Sequence, residues 1–153
     1  MRQRMWWGVA AVLAVVAGLL APRALGGDCA DAEATEVVAA FSRDLLSYDA
    51  ASVEDQVSRV LAYGDERFVE EYRAAAGPEF VANVQANGTR AEARILSGPT
   101  LDGCVDGDPA FGVLLSQVVQ RDADAAPRTL RTPLRVTLTE DDDTWRVHEV
   151  DIL

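Results

Sequence analysis

The chain has one histidine, His148, and two cysteines, Cys29 and Cys104, set among 25 acidic and 14 basic residues. Nucleophilic catalysis needs a serine or cysteine held beside a base. His148 falls on the polar phase of an alternating stretch near the C-terminus, where a surface histidine is expected. The remaining acid–base option pairs His148 with Asp44 or Tyr48, should those side chains line a common cavity. Four adjacent acids, Glu140, Asp141, Asp142 and Asp143, lie in a turn and point in different directions, so a solvated turn is expected rather than a cation site. Asp102, Asp106 and Asp108, interleaved with Gly103 and Gly107, lack the D-x-D-x-D-G spacing and later glutamate of a calcium loop, and read as a loop between strands. Asn87-Gly88-Thr89 matches a glycosylation sequon, which is a frequent accidental match. No catalytic, cofactor-binding or metal-ligating residue is therefore assigned. Cys29 and Cys104 form a candidate disulfide, because an exported domain would meet an oxidising compartment.

The elements that would position these groups follow from periodicity. Over residues 34–48, Ala34, Val37, Val38, Phe41, Leu45 and Tyr48 recur at three- and four-residue spacing, the stripe of an amphipathic helix. Ser52 offers an N-cap for a second helix through Val53, Val57, Val60 and Leu61, stopped at Gly64. Phe68, Val69 and Tyr72 mark a third helix. Gly77-Pro78 separates it from a fourth around Phe80, Val81 and Val84, ended by Asn87-Gly88. The period then changes to two: Ala91, Ala93 and Ile95 alternate with Arg90, Glu92 and Arg94.

Residues 111–119 are apolar with little alternation, the pattern of a central strand covered on both faces. Leu134, Val136 and Leu138 alternate with polar neighbours, and beyond the acidic turn Trp145 and Val147 do the same, giving a hairpin. The alternation slips near Val150 and Ile152, as at a bulge or an edge. Helices grouped first and antiparallel strands after them describe an α+β domain with the helices on one face of a curved sheet.

The N-terminus reads as a targeting segment. Arg2 and Arg4 precede an uncharged apolar run over about residues 5–21, with Trp6 and Trp7 at one end and Pro22-Arg23 at the other. Its roughly 25 Å of helix is slightly short of a roughly 30 Å hydrocarbon core. The tryptophans and arginines favour a retained signal anchor, with the domain outside a single-pass cell membrane. Ala24-Leu25-Gly26 provides the alternative, a cleavage site and a secreted domain. The expected organisation is a signal or anchor segment at 1–27, a stalk at 28–33 and the domain at 34–153. The formal charge of −11 disfavours nucleic acid as a partner.

Two stretches carry a family resemblance: VVAAFSRDLLSYDAASVEDQVSRVLAYGDERFVEEY, residues 37–72, and RTPLRVTLTEDDDTWRVHEVDIL, residues 131–153. Their order of helices, aromatic positions and closing Trp-Arg-Val strand resembles the Mce-associated membrane proteins of actinobacteria. That resemblance implies an N-terminal membrane helix and an extracytoplasmic NTF2-like (SnoaL-like, cystatin-like) domain. It also implies a non-enzymatic accessory role at an Mce-type lipid import system, with transporter subunits or a second copy of the chain as partners. The same fold hosts isomerases and dehydratases and can carry an apolar ligand, so an enzyme of that type and a ligand carrier are the alternatives.

Overall fold

The structure, a computed structural model, describes residues 29–153, so the apolar run at 5–21 and the candidate cleavage site lie outside the described residues. Among the described residues no helix is long and apolar enough to cross a membrane. Four helices come first: α1 (Ala32–Leu46), α2 (Val53–Tyr63), α3 (Glu66–Ala75) and α4 (Pro78–Ala86). The two-residue strand β1 (Tyr48–Asp49) lies between α1 and α2. The remaining strands follow as β2 (Arg90–Val105), β3 (Asp108–Gln120), β4 (Arg128–Asp141) and β5 (Thr144–Ile152). They form one antiparallel sheet in the order β1-β2-β3-β4-β5. This is the α+β architecture expected from the periodicity.

Each helix begins at a local signal. The Asp31 carboxylate accepts the Ala34 N–H at 2.8 Å and caps α1. Asp65 does the same for α3 through the Phe68 N–H at 2.9 Å, and Pro78 opens α4 at a position where its missing N–H costs nothing. Ser52 occupies the N-cap of α2 without capping it through its side chain. Asp49 instead accepts the Ala51 and Ser52 N–H groups at 2.9 and 3.0 Å, which shapes the turn. Helix α2 stops at Gly64, where any side chain would run into the Phe68 ring.

Tyr48, read from sequence as the end of the first helix, leaves it and pairs with Ala91 as the edge strand β1. Residues 32 and 33, within the expected stalk, form the first turn of α1. Just before them, Cys29 is bonded to Cys104 near the tip of β2, with Cα atoms 6.2 Å apart. Closing a loop across 75 residues of sequence stabilises the fold by roughly 4 kcal/mol in the chain-entropy view.

The core lies between the helices and one face of the sheet. Ala34, Val38 and Phe41 of α1, and Val53 and Val60 of α2, are completely buried, as are Leu115, Val136, Leu138 and Val147 from the sheet. Phe41 meets Tyr63 and Phe68 edge-on at 5.6 and 5.4 Å, filling the concave side where helices and sheet converge.

Strand β3 is central by order, yet the expectation of cover on both faces needs correction. Its Phe111, Val113 and Leu115 face the core, whereas Val118 on the opposite face is 43% exposed. The missing alternation reflects an outer face that keeps apolar residues without a second helical layer. Ser116, also outward, is buried between Arg94 and Arg131 of the flanking strands.

Register shifts at three places in β2 bend the sheet around the helices. The slip foreseen near Val150 is a bulge in β5. Leu138 pairs with Val147 and Thr137 with Glu149, leaving His148 as the extra residue, on a strand that is also the sheet's edge.

Candidate functional site

Two regions gather the side chains that sequence singled out. The first is the seam where α3 meets β5. The bulge re-aims His148 out of the strand's alternation and towards the start of α3. There its Nδ1 lies 2.5 Å from Asp65 Oδ2, while the other carboxylate oxygen of Asp65 caps the helix. His148 Nε2 lies 3.2 Å from an Arg67 guanidinium nitrogen. A guanidinium only donates, so Nε2 accepts from Arg67 and the ring proton resides on Nδ1, donated to Asp65.

Arg67 also donates to Glu149 at 3.1 Å and to Glu71 at 3.2 Å. Its hydrogen bond to Glu71, followed by the charge of Glu149, holds its pKa above the usual arginine value. A histidine oriented by a carboxylate superficially fits a catalytic dyad. The nitrogen that would serve as base, however, already faces a cation, and no serine or cysteine shares its hydrogen bonds among the described residues. His148, expected as a surface histidine, is a half-buried clasp between β5 and α3. Asp65 and Arg67 escaped sequence reasoning, because only the bulge brings them to His148 from more than 80 positions away.

The second region is an apolar cleft of about 470 Å³ at the open end of the concave face, between the end of α1, β1, α3, α4 and the end of β5. Its walls include Leu45, Leu46, Phe68, Phe80, Val150 and Ile152, with Glu71 as its one carboxylate. Tyr48 and Tyr72 bring hydroxyls into it. Burial pushes the pKa of both upward, and for Tyr72 the Gln56 side chain opposes that shift. Tyr48 packs edge-on against Phe80 at 5.5 Å, and Phe68 stacks on Tyr72 at the same separation. The Gln117 amide, also lining the cleft, is spent on the Leu46 carbonyl at 2.8 Å.

Asp44 belongs to neither region. Its carboxylate accepts the Tyr63 hydroxyl at 2.8 Å, and burial followed by this hydrogen bond pushes the Tyr63 pKa up to about 12. The trio weighed for acid–base chemistry is thus dispersed: Asp44 on Tyr63, Tyr48 in the cleft, His148 at the seam. The buried Gln56 that ties α2 to α1 through the Asp44 carbonyl at 2.8 Å was not anticipated, since a lone glutamine on an apolar stripe gives no sequence signal.

The acidic groups are likewise placed. Among the described residues, no three His, Cys, Asp or Glu side chains converge to hold a metal. Asp142 and Asp143 form the β4–β5 turn, both at positive φ. Asp106 and Gly107 form the β2–β3 turn, while the Asp102 carboxylate lies over Gly112 and Asp108 begins β3. Asn87, at the sequon, ends α4 and donates to the Asn83 carbonyl at 2.9 Å.

No family model matches the chain, and no curated protein does. Solved structures do. CagV, a VirB8 homologue of the type IV secretion system of Helicobacter pylori, superposes with a TM-score of 0.63 at 15% identity, covering 80% of this chain and 97% of that one. Agrobacterium tumefaciens VirB8 gives 0.62 at 13% identity, covering 81% and 94%. An NTF2-like protein involved in plasmid conjugation gives 0.53 at 16% identity, covering 78% and 47%. At such identities the likeness concerns architecture, and it is specific there: residues 29–153 adopt the NTF2-like α+β fold, helices packed into a bent antiparallel sheet.

Proposed function

We propose that this protein is a non-enzymatic accessory component of an envelope-spanning transport machine, held at the outer face of the cell membrane by its N-terminal apolar segment. In its finer form the reading is an Mce-type lipid import system, whose transporter subunits the domain stabilises or assembles. What carries the non-catalytic part is the state of the concave face. Its centre is filled by Phe41, Phe68 and Phe111, and the carboxylate and the imidazole that could have served catalysis, Asp44 and His148, are each held by a structural partner. The Mce assignment rests on the resemblance in residues 37–72 and 131–153.

A second reading, assembly of a secretion or conjugation channel, is favoured by the neighbours themselves. CagV is described as a VirB8 homologue of a type IV secretion system, the Agrobacterium protein as VirB8, and the third neighbour as involved in plasmid conjugation.

Affinity capture of the tagged full-length protein from detergent-solubilised membranes, followed by mass spectrometry, separates the two. Co-purifying Mce permease or substrate-binding subunits support the first, and secretion-channel subunits the second. Replacing Asp44 with asparagine and His148 with alanine tests the shared non-catalytic core. Loss of transport at normal protein levels and with normal capture of partners would sink it.

A further inference from the structure

One row across the convex face of the sheet departs from the acidity of the chain. Leu115 and Gln117 point into the core, where the Gln117 amide reaches the Leu46 carbonyl, so Ser116 between them points outward. Ser116 pairs with Arg94 of β2 on one side and with Arg131 of β4 on the other. Arg94 follows the buried Ala93, and Arg131 shares its phase with Arg135, which lies between buried Leu134 and Val136, so both arginines point outward too. Their Cβ atoms stand about 5 Å to either side of that of the serine.

Ser116 is 6% exposed although no second layer covers it, so the flanking arginine stems close over it. Its hydroxyl makes no hydrogen bond among the described residues. The orphan oxygens of Ser42 and Gln56 are sealed from solvent, whereas that of Ser116 still reaches the surface. Neither flanking guanidinium is neutralised. Among the described residues the ion pairs join Arg67 to Glu71 and Glu149 and His148 to Asp65, and none involves Arg94 or Arg131. Glu92, two residues from Arg94 on the same face, lies opposite Val118 and forms no pair. Arg135 differs: Asp151 stands directly opposite it, and the Asp102 carboxylate lies over its other neighbour, Gly112. Two unpaired cations about a lone hydroxyl, in a chain with 25 acidic residues to draw on, leave a place for an oxyanion from outside.

We propose that Arg94, Ser116 and Arg131 form an oxyanion site that receives an acidic side chain of a protein partner. The two guanidiniums grip the carboxylate from either side, and the Ser116 hydroxyl donates to one of its oxygens. Along the strands the row is bordered by Val118, which is 43% exposed, and by half-buried Leu114 and Pro133, so apolar side chains around the acid find contact as well. A phospholipid surface is the weaker match. The net charge of −11 repels an anionic bilayer at long range, whereas one carboxylate meets only the local pair of cations. The site rests on this geometry alone, and its protein occupant rests on the accessory role proposed above.

Arginine side-chain NMR spectra of the full-length protein in zwitterionic detergent test the site, with inorganic phosphate as the probe at constant ionic strength. The Arg94 and Arg131 signals should move together and saturate, while those of Arg90 and Arg135 should not. Ser116→Ala should weaken binding about threefold, one hydrogen bond being lost. A drift shared by all the arginines, or saturation unchanged by Ser116→Ala, would overturn the site. Arg94→Glu and Arg131→Glu should each lower capture of the partner subunits about tenfold, with Arg135→Glu matching the wild type. Undiminished capture by both reversals overturns the docking role. So does saturation of the same two signals by phosphatidylglycerol at lower concentration than phosphate, which makes the oxyanion a lipid headgroup. A wild-type chain that captures no subunit sinks the accessory role instead, and the phosphate titration still decides the site.

Discussion

The concave centre and the α3–β5 seam both contain residue types that catalysis uses, and they use them in opposite ways. In the centre, polar groups are few and subordinate. Phe41, Phe111 and Leu115 exclude water, and the Tyr63 hydroxyl is turned onto Asp44 at the margin. At the seam, a chain of polar and charged side chains runs from Asp65 through the His148 imidazole and Arg67 to Glu149 and Glu71. The centre should hold the fold together while the seam sets how α3 lies against β5. Half-exposed ion pairs contribute little stability, whereas completely buried aromatic rings contribute a great deal.

The largest effect expected from breaking this contrast is in the centre. Phe41→Ala removes a fully buried ring that two other aromatic side chains pack against, and should cost about 4 kcal/mol in urea unfolding. A loss below about 1 kcal/mol would mean that the concave face is loosely filled and that a ligand-sized space exists there.

At the seam, Asp65→Ala removes the α3 cap and the His148 partner together and should cost about 2 kcal/mol. His148→Ala leaves the cap in place and should cost less than about 1 kcal/mol. A double-mutant cycle between the two sharpens the contrast: a coupling larger than the cap's own share would promote the clasp to a structural keystone.

Alkaline titration probes the tyrosine that bonds Asp44 together with the two in the cleft. The Tyr63 pKa is raised to about 12 in the folded state against 10.0 ordinarily, so the folded protein holds that proton more tightly than the unfolded chain. Its contribution is intact below pH 10 and is lost as pH rises through 10 towards 12. Tyr48 and Tyr72, both raised by burial, act in the same direction. Tyr63→Phe should lose about 1 kcal/mol near neutrality and show a shallower decline over that window, followed by unfolding at fixed pH steps. An unchanged decline would assign the alkaline loss to the cleft tyrosines.

The helical half was legible because each boundary carries a local signal: Gly64 stops α2, Gly77-Pro78 divides α3 from α4, and Asn87-Gly88 closes α4. The sheet half was legible where one face is wet, as in Ala91, Ala93 and Ile95. It failed where burial depends on a neighbour far along the chain. Tyr48 keeps helical spacing with Leu45 and Phe41, yet pairing with Ala91 draws it into β1. Residues 111–119 look buried on both faces because period alone cannot distinguish a second layer from an apolar outer surface. The seam was the least legible part. The sequence around His148 shows only a slip in alternation, while the residue that receives its proton is a helix cap 83 positions earlier.

The smallest expected effect concerns the turn that sets the register of β4 against β5, and hence the bulge that aims His148. Asp142 and Asp143 both sit at positive φ, 48° and 58°, a region that non-glycine residues enter at some cost. They also stand beside Glu140 and Asp141, so like charges crowd a tight hairpin. Asp143→Gly removes one charge and one side chain from the strained position and should raise stability by about 0.5 kcal/mol, with a matching small rise in melting temperature. If the seam depends on register as argued, amide exchange at β5 should slow slightly in this variant and exchange in α1 should not change. Slower exchange in α1 with no change at β5 would instead show that the turn acts through the core.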